Sequence, residues 1–116
     1  MKRRLGVLFF FGLCSIYSST FASTLEWDRN IESDMRNYNV YACYVKGCTV
    51  SQIPSLIVGT TLQPAVGVKP TFVLPTGKEG NAAVSALDTS SNESPLSNVV
   101  PFDSLKPSAP AGLAVK

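Results

Sequence analysis

The sequence predicts an all-β protein built as an antiparallel sandwich of short strands. Three observations carry that prediction. Apolar residues alternate with polar ones in several brief runs, clusters of Gly, Pro, Asn and Ser separate those runs, and no stretch repeats apolar residues at helical spacing. The chain has 116 residues, 45% of them apolar and 16% charged, which is enough for one small core and one domain.

The N-terminus is read apart from the rest. Lys2, Arg3 and Arg4 precede an apolar run, Leu5 to Tyr17, and then the small residues Ser18 to Ser23. A positive head, a short apolar middle and a small-residue end make a secretory signal peptide, residues 1–22, with cleavage after Ala22. The apolar run has 13 residues, short of the roughly 20 that cross a bilayer, so a retained anchor is the weaker reading. Cys14 is preceded by Leu13 rather than a small residue, which argues against a lipid-modified cysteine.

Each predicted strand has a local reason. Leu25 and Trp27 share one face of the run Thr24–Trp27. Residues 28–37 read as a polar loop. Tyr38 to Val45 is rich in aromatic and β-branched residues, as strands are. Leu56-Ile57-Val58 is a brief apolar run ended by Gly59, and Thr71–Leu74 is bounded by Pro70 and Pro75. Asn81 to Leu87 puts Ala82, Val84 and Ala86 on one face, and Leu96 to Phe102 is a last, looser run that stops at Pro101. Residues 104–116 are rich in Pro and Ala and read as a tail or the start of a linker.

Composition removes several functions. The chain has no histidine, so Ser-His and Cys-His nucleophile pairs are excluded. The net charge of +2 resides in the signal; without it, seven Lys and Arg face eight Asp and Glu, and neither nucleic acid nor an anionic membrane is implied as a partner. Glu32 and Asp34 supply too few carboxylates for calcium and read as a solvated turn. Asp88, Asn92 and Glu93 lie in the loop after the run Asn81–Leu87, where Asp and Asn are expected to bond the loop's own backbone. Asn92-Glu93-Ser94 also fits a glycosylation acceptor, in a host with that pathway. No cofactor is implied. After export, Cys43 and Cys48 are expected to pair, with Gly47 easing the turn between them; a hairpin flanked by the two would place them within bridging distance.

Three segments in order resemble a fibronectin type III domain of the kind found in exported bacterial proteins. Leu25-Glu26-Trp27-Asp28 is similar to that family's second strand with its core tryptophan. Glu32-Ser33-Asp34 and Tyr38-Asn39-Val40-Tyr41 resemble its loop and third strand. The segment from Ala83 to Ser94, followed by Leu96-Ser97-Asn98, resembles its sixth strand, the next loop and the start of the seventh. The resemblance spans residues 23–103 and implies an immunoglobulin-like sandwich with Trp27, Tyr38, Val40, Phe72, Leu74, Val84 and Ala86 turned inward. Trp27 and Tyr38 are expected in the core, with no ligand role.

Two departures stand out. The tyrosine that opens the family's sixth strand falls on Gly80, so the segment from Gly77 to Gly80 is expected to be mobile. The family's first strand has no counterpart before Thr24, while Pro107 to Val115 resembles such a strand placed after the domain. The implied function is a secreted or periplasmic binding, adhesion or spacing module, not an enzyme, whose partner is a protein or carbohydrate of the cell surface. Head-to-tail self-association through residues 107–115 is a further expectation. The alternative is a structural piece of a tandem array without activity of its own.

Overall fold

The structure is a computed structural model, described here for residues 22–116. The signal peptide expectation and its cleavage point lie almost wholly outside those residues. Six strands are present among them: β1 (Thr24–Glu26), β2 (Met35–Cys43), β3 (Ile57–Leu62), β4 (Thr71–Val73), β5 (Glu79–Asp88) and β6 (Val100–Asp103). One 3-10 turn, Pro54–Leu56, leads into β3. The strands form two antiparallel sheets, β1-β4 and β3-β2-β5-β6, so the all-β sandwich expectation holds at that level.

The core between the sheets follows the pleat. Ala42, Ala82 and Phe102 on the larger sheet meet Leu74, Leu25 and Phe72 from the smaller one. Tyr38, Val40 and Leu74 are fully buried, as expected, whereas Trp27, Phe72, Val84 and Ala86 are only half-buried. Those four surround the part of the sandwich that only two short strands cover.

β2 is longer than its alternation suggests. It starts at Met35 inside the expected polar loop, because Met35 to Asn37 pair with Leu87 and Asp88 at the far end of β5. It is also buried on both faces from Asn37 to Ala42. Residues 44–56 fold back over its outer face, where Val50 joins Tyr41 and Ala83 in a second apolar cluster flanked by Leu56 and Leu96.

Three glycine and cysteine expectations need correction. Gly59 does not end a strand; it lies within β3 opposite Val40, at a bulge, and the Phe72 ring occupies the space its Cβ would need. Gly80 lies in a strand, opposite Phe102. It is buried in β5, where a Cβ would strike the backbone carbonyl of Cys43, so the tyrosine that the family resemblance puts there has no room. The preceding turn is tied down by Gly77 N–H donating to the Ser104 carbonyl (3.0 Å) and Ser104 N–H donating to that of Lys78 (2.8 Å). Cys43 and Cys48 do form a disulfide, with Cα atoms 6.2 Å apart. It does not join two hairpin strands, however. Cys48 follows a turn within the loop after β2, closed by its N–H to the Val45 carbonyl (2.9 Å) with Gly47 at φ 76°.

Candidate functional site

Two groups of side chains border the core, one a hydrogen-bonded cluster and one along an open edge. The cluster centres on Glu93. Its Oε2 accepts hydrogen bonds from Ser85 Oγ (2.5 Å), Asn39 Nδ2 (3.2 Å) and the Tyr41 hydroxyl. Tyr41 and Ser85 are buried on the outer face of the larger sheet, one on β2 and one on β5. Partial burial pushes the Glu93 carboxyl up, but the bonds from Ser85, Tyr41 and Asn39, with Gln52 nearby, outweigh it and hold it down at about 2. The Tyr41 phenol is raised, first by burial and then by the bond and charge of Glu93. The carboxylate thus serves as a pin that fastens the segment after β5 onto the sheet. The donors from β2 and β5 tie the segment after β5 to both strands.

Asp88 bonds its own loop as expected, accepting from Asn92 N–H (2.8 Å) and Ser90 N–H (2.9 Å), and these bonds hold its carboxyl below the usual range. The Asn92 side chain donates to Asp88 Oδ2 (3.1 Å) rather than to the backbone. The Glu93 side chain reaches Ser85 on β5 and Asn39 and Tyr41 on β2. Glu32 and Asp34 are exposed, and Asn30 Nδ2 donates to Glu32 (3.1 Å). Among the described residues no group of three or more His, Cys, Asp or Glu could hold a metal ion, and no helix is long and apolar enough to cross a membrane.

The open group lies along β1. Trp27 N–H donates to the Pro70 carbonyl (3.2 Å) and Leu74 N–H donates to that of Ser23 (2.8 Å), so the odd-numbered backbone groups of β1 face β4. By antiparallel alternation, Thr24 and Glu26 turn their N–H and C=O groups the other way. No described residue hydrogen-bonds them. The outer edge of β4, by contrast, is tied to β3 through Thr61 Oγ1, which donates to the Thr71 carbonyl (2.8 Å).

A groove runs between this open edge and the segment that flanks β5. One part, of about 100 Å³, is lined by Leu25, Ala82, Val84 and Val100; the adjoining part, of about 270 Å³, by Trp27, Tyr38, Ala86 and Leu96. Trp27 stands in both, packed edge-on against Tyr38 at 5.4 Å between ring centres. Its Nε1–H is buried without a hydrogen-bond partner among the described residues, which leaves the desolvation of that donor uncompensated. The opposite wall is irregular: Ser94 Oγ and Ser97 Oγ accept the N–H groups of Ala86 (2.9 Å) and Val84 (3.0 Å), in positions a regular strand would fill with carbonyls.

Comparison with protein-family models, with characterised proteins and with solved structures finds no match to this chain. The groove is therefore interpreted from its own chemistry. An unpaired strand edge beside an apolar groove is the geometry that strand addition uses in general, with main-chain bonds along the edge and pockets for alternate side chains. The sequence alone singled out Trp27 as a core residue. Its half-exposed position beside an unpaired edge has no local signal, because it depends on what lies next to β1 rather than on the strand itself.

Proposed function

We propose that this chain is an exported, fibronectin type III-like module that works by binding rather than catalysis, and that it binds along the open edge of β1. The observation that carries this reading is the row of unpaired Thr24 and Glu26 backbone groups bordering an apolar groove. The family reading is supported by strand order. In a seven-strand sandwich of that kind, β1 and β4 take the second and fifth places, β2 and β3 the third and fourth, and β5 and β6 the sixth and seventh. Among the described residues no strand takes the first place, beside β1. Export is supported by the three-part N-terminus and by the Cys43–Cys48 disulfide.

The partner class that suits such an edge is an extended segment of a cell-surface protein. The test immobilises the exported chain and challenges it with surface proteins of the source cells, alongside Glu26→Pro. Proline at 26 removes an edge-facing N–H while leaving the bonds to β4 intact. Proteins retained by the wild type and lost with Glu26→Pro are expected. Equal retention by both, or retention of carbohydrate alone by both, would sink the edge as the binding surface.

A further inference from the structure

We infer that the segment occupying the groove is residues 107–116 of a second copy of this chain, so that the exported protein joins head to tail. The inference rests on the groove reading above and names its occupant.

The direction of the chain decides between its own tail and a neighbour's. Ser104 lies beside Ser23: Ser23 N–H donates to Ser104 Oγ (3.1 Å) and the two hydroxyls are 2.8 Å apart. The tail therefore leaves the sandwich next to the start of β1. Laid along its own β1 from there, it would run parallel to that strand, the less stable pairing. To pair antiparallel it would first have to pass the whole strand and then turn back over it within residues 105–112. A tail arriving from another molecule comes in from the Trp27 end and pairs antiparallel directly.

The composition of the tail fits that placement. Leu113 and Val115 are 98% and 101% exposed, and nothing on their own domain covers them. They alternate, so one strand face carries both. With that face turned to Leu25 and Trp27, the residues whose backbones meet Thr24 and Glu26 are drawn from Gly112, Ala114 and Lys116, all of which have an N–H. Pro107 and Pro110 fall outside the paired stretch if Leu113 lies beside Trp27 and Val115 beside Leu25. Gly112, at φ 77°, reaches the extended form without steric cost. Lys116 then comes to the side of the exposed Glu26. Each copy offers one edge and one tail, so the contact is heterologous and the product an open chain.

The test uses the exported chain and two variants, Glu26→Pro, which blocks the edge, and Leu113→Asp/Val115→Asp, which spoils the tail outside the folded body. Light scattering over roughly the micromolar to millimolar range should show the wild-type mass rising with concentration and each variant alone remaining monomeric. Mixed, the two variants should form a heterodimer and stop there, since only one sound edge and one sound tail remain. Trp27 is the sole tryptophan, so its emission should shift on mixing. A monomeric wild type, assembly unaffected by the tail variant, or mixed variants that do not associate would each overturn the inference. If assembly is absent while surface proteins still bind in a manner abolished by Glu26→Pro, the occupant is wrong and the groove reading stands; if both are absent, both fall.

Discussion

Replacing Glu93 by alanine removes the acceptor shared by Ser85, Asn39 and Tyr41. Tyr41 and Ser85 are each only 2% exposed, so water cannot replace the lost acceptor freely. A hydrogen bond to a charged group contributes about 1.5–3 kcal/mol, and these three share one carboxylate that is itself partly in solvent; the expected loss is about 2–3 kcal/mol at neutral pH. That is a large part of the roughly 5–15 kcal/mol that holds a domain folded. The penalty must also depend on pH. The carboxyl sits at about 2 in the folded state against an ordinary 4.5. A depressed folded value stabilises above the unfolded one, and that stabilisation fades as pH falls from about 4.5 towards about 2. The full shift caps this component near 3 kcal/mol, and solvent screening reduces it to about 1–2 kcal/mol. Urea unfolding followed by Trp27 emission, at about pH 7 and about pH 2.5, should show the alanine penalty shrinking in acid. Glu93→Gln keeps an acceptor oxygen without charge, so it should cost less than alanine at neutral pH, and its penalty should likewise shrink in acid because only the wild-type carboxyl titrates. An alanine penalty equal at both pH values, or none at neutral pH, would refute the pin.

Trp27→Ala should cost about 3 kcal/mol in urea unfolding followed by circular dichroism, the low end for a tryptophan because the ring is half-buried, whereas Trp27→Phe should cost far less since it deletes a buried N–H that has no acceptor among the described residues. Gly80→Ala should destabilise by about 1–3 kcal/mol in the same assay, because its Cβ meets the Cys43 carbonyl, while Gly67→Ala, in open space, should lose only the smaller cost of its positive φ. Intact-mass measurement of the exported protein should give a chain that starts at Ser23 with no alkylatable thiol before reduction, and reduction should cost about 2 kcal/mol. Ultraviolet titration should place Tyr41 and Tyr44 above the ordinary phenol value of 10, with the stability they contribute lost as alkaline pH passes their raised values.

The strands were legible where burial follows the pleat. Tyr38, Val40 and Ala42 alternate on β2, Ala82, Val84 and Ala86 on β5, and each set faces the other sheet or the groove beside it. Reading failed where a residue answers to something distant in sequence. Gly59 looks like a stop, yet it is a strand residue shaped by Phe72. Gly80 looks like a flexible hinge, yet it is the one residue that fits against Cys43. Glu93 sits in a loop-like string of polar residues, and its acceptor role exists only because β2 brings Tyr41 and Asn39 beside Ser85. Alternation also marks Tyr41 as outward-facing; it is buried because residues 44–56 cover that face.

The contact between Ser23 and Ser104 has a mechanical meaning. It joins residues 81 positions apart, so the chain comes into the folded body and goes out of it at the same pole. Such a body hangs beside the line of the polypeptide like a bead on a doubled thread and adds almost nothing to the distance the chain can bridge. Tension applied between those two residues would act on the serine contacts first and unzip the body from that end. A strand laid along β1 from the Trp27 end changes the loading: force would come in at one pole and leave at the other, and the ladder between them would be pulled lengthwise, with its hydrogen bonds sharing the strain. The same fold is therefore slack as a spacer and taut as a link.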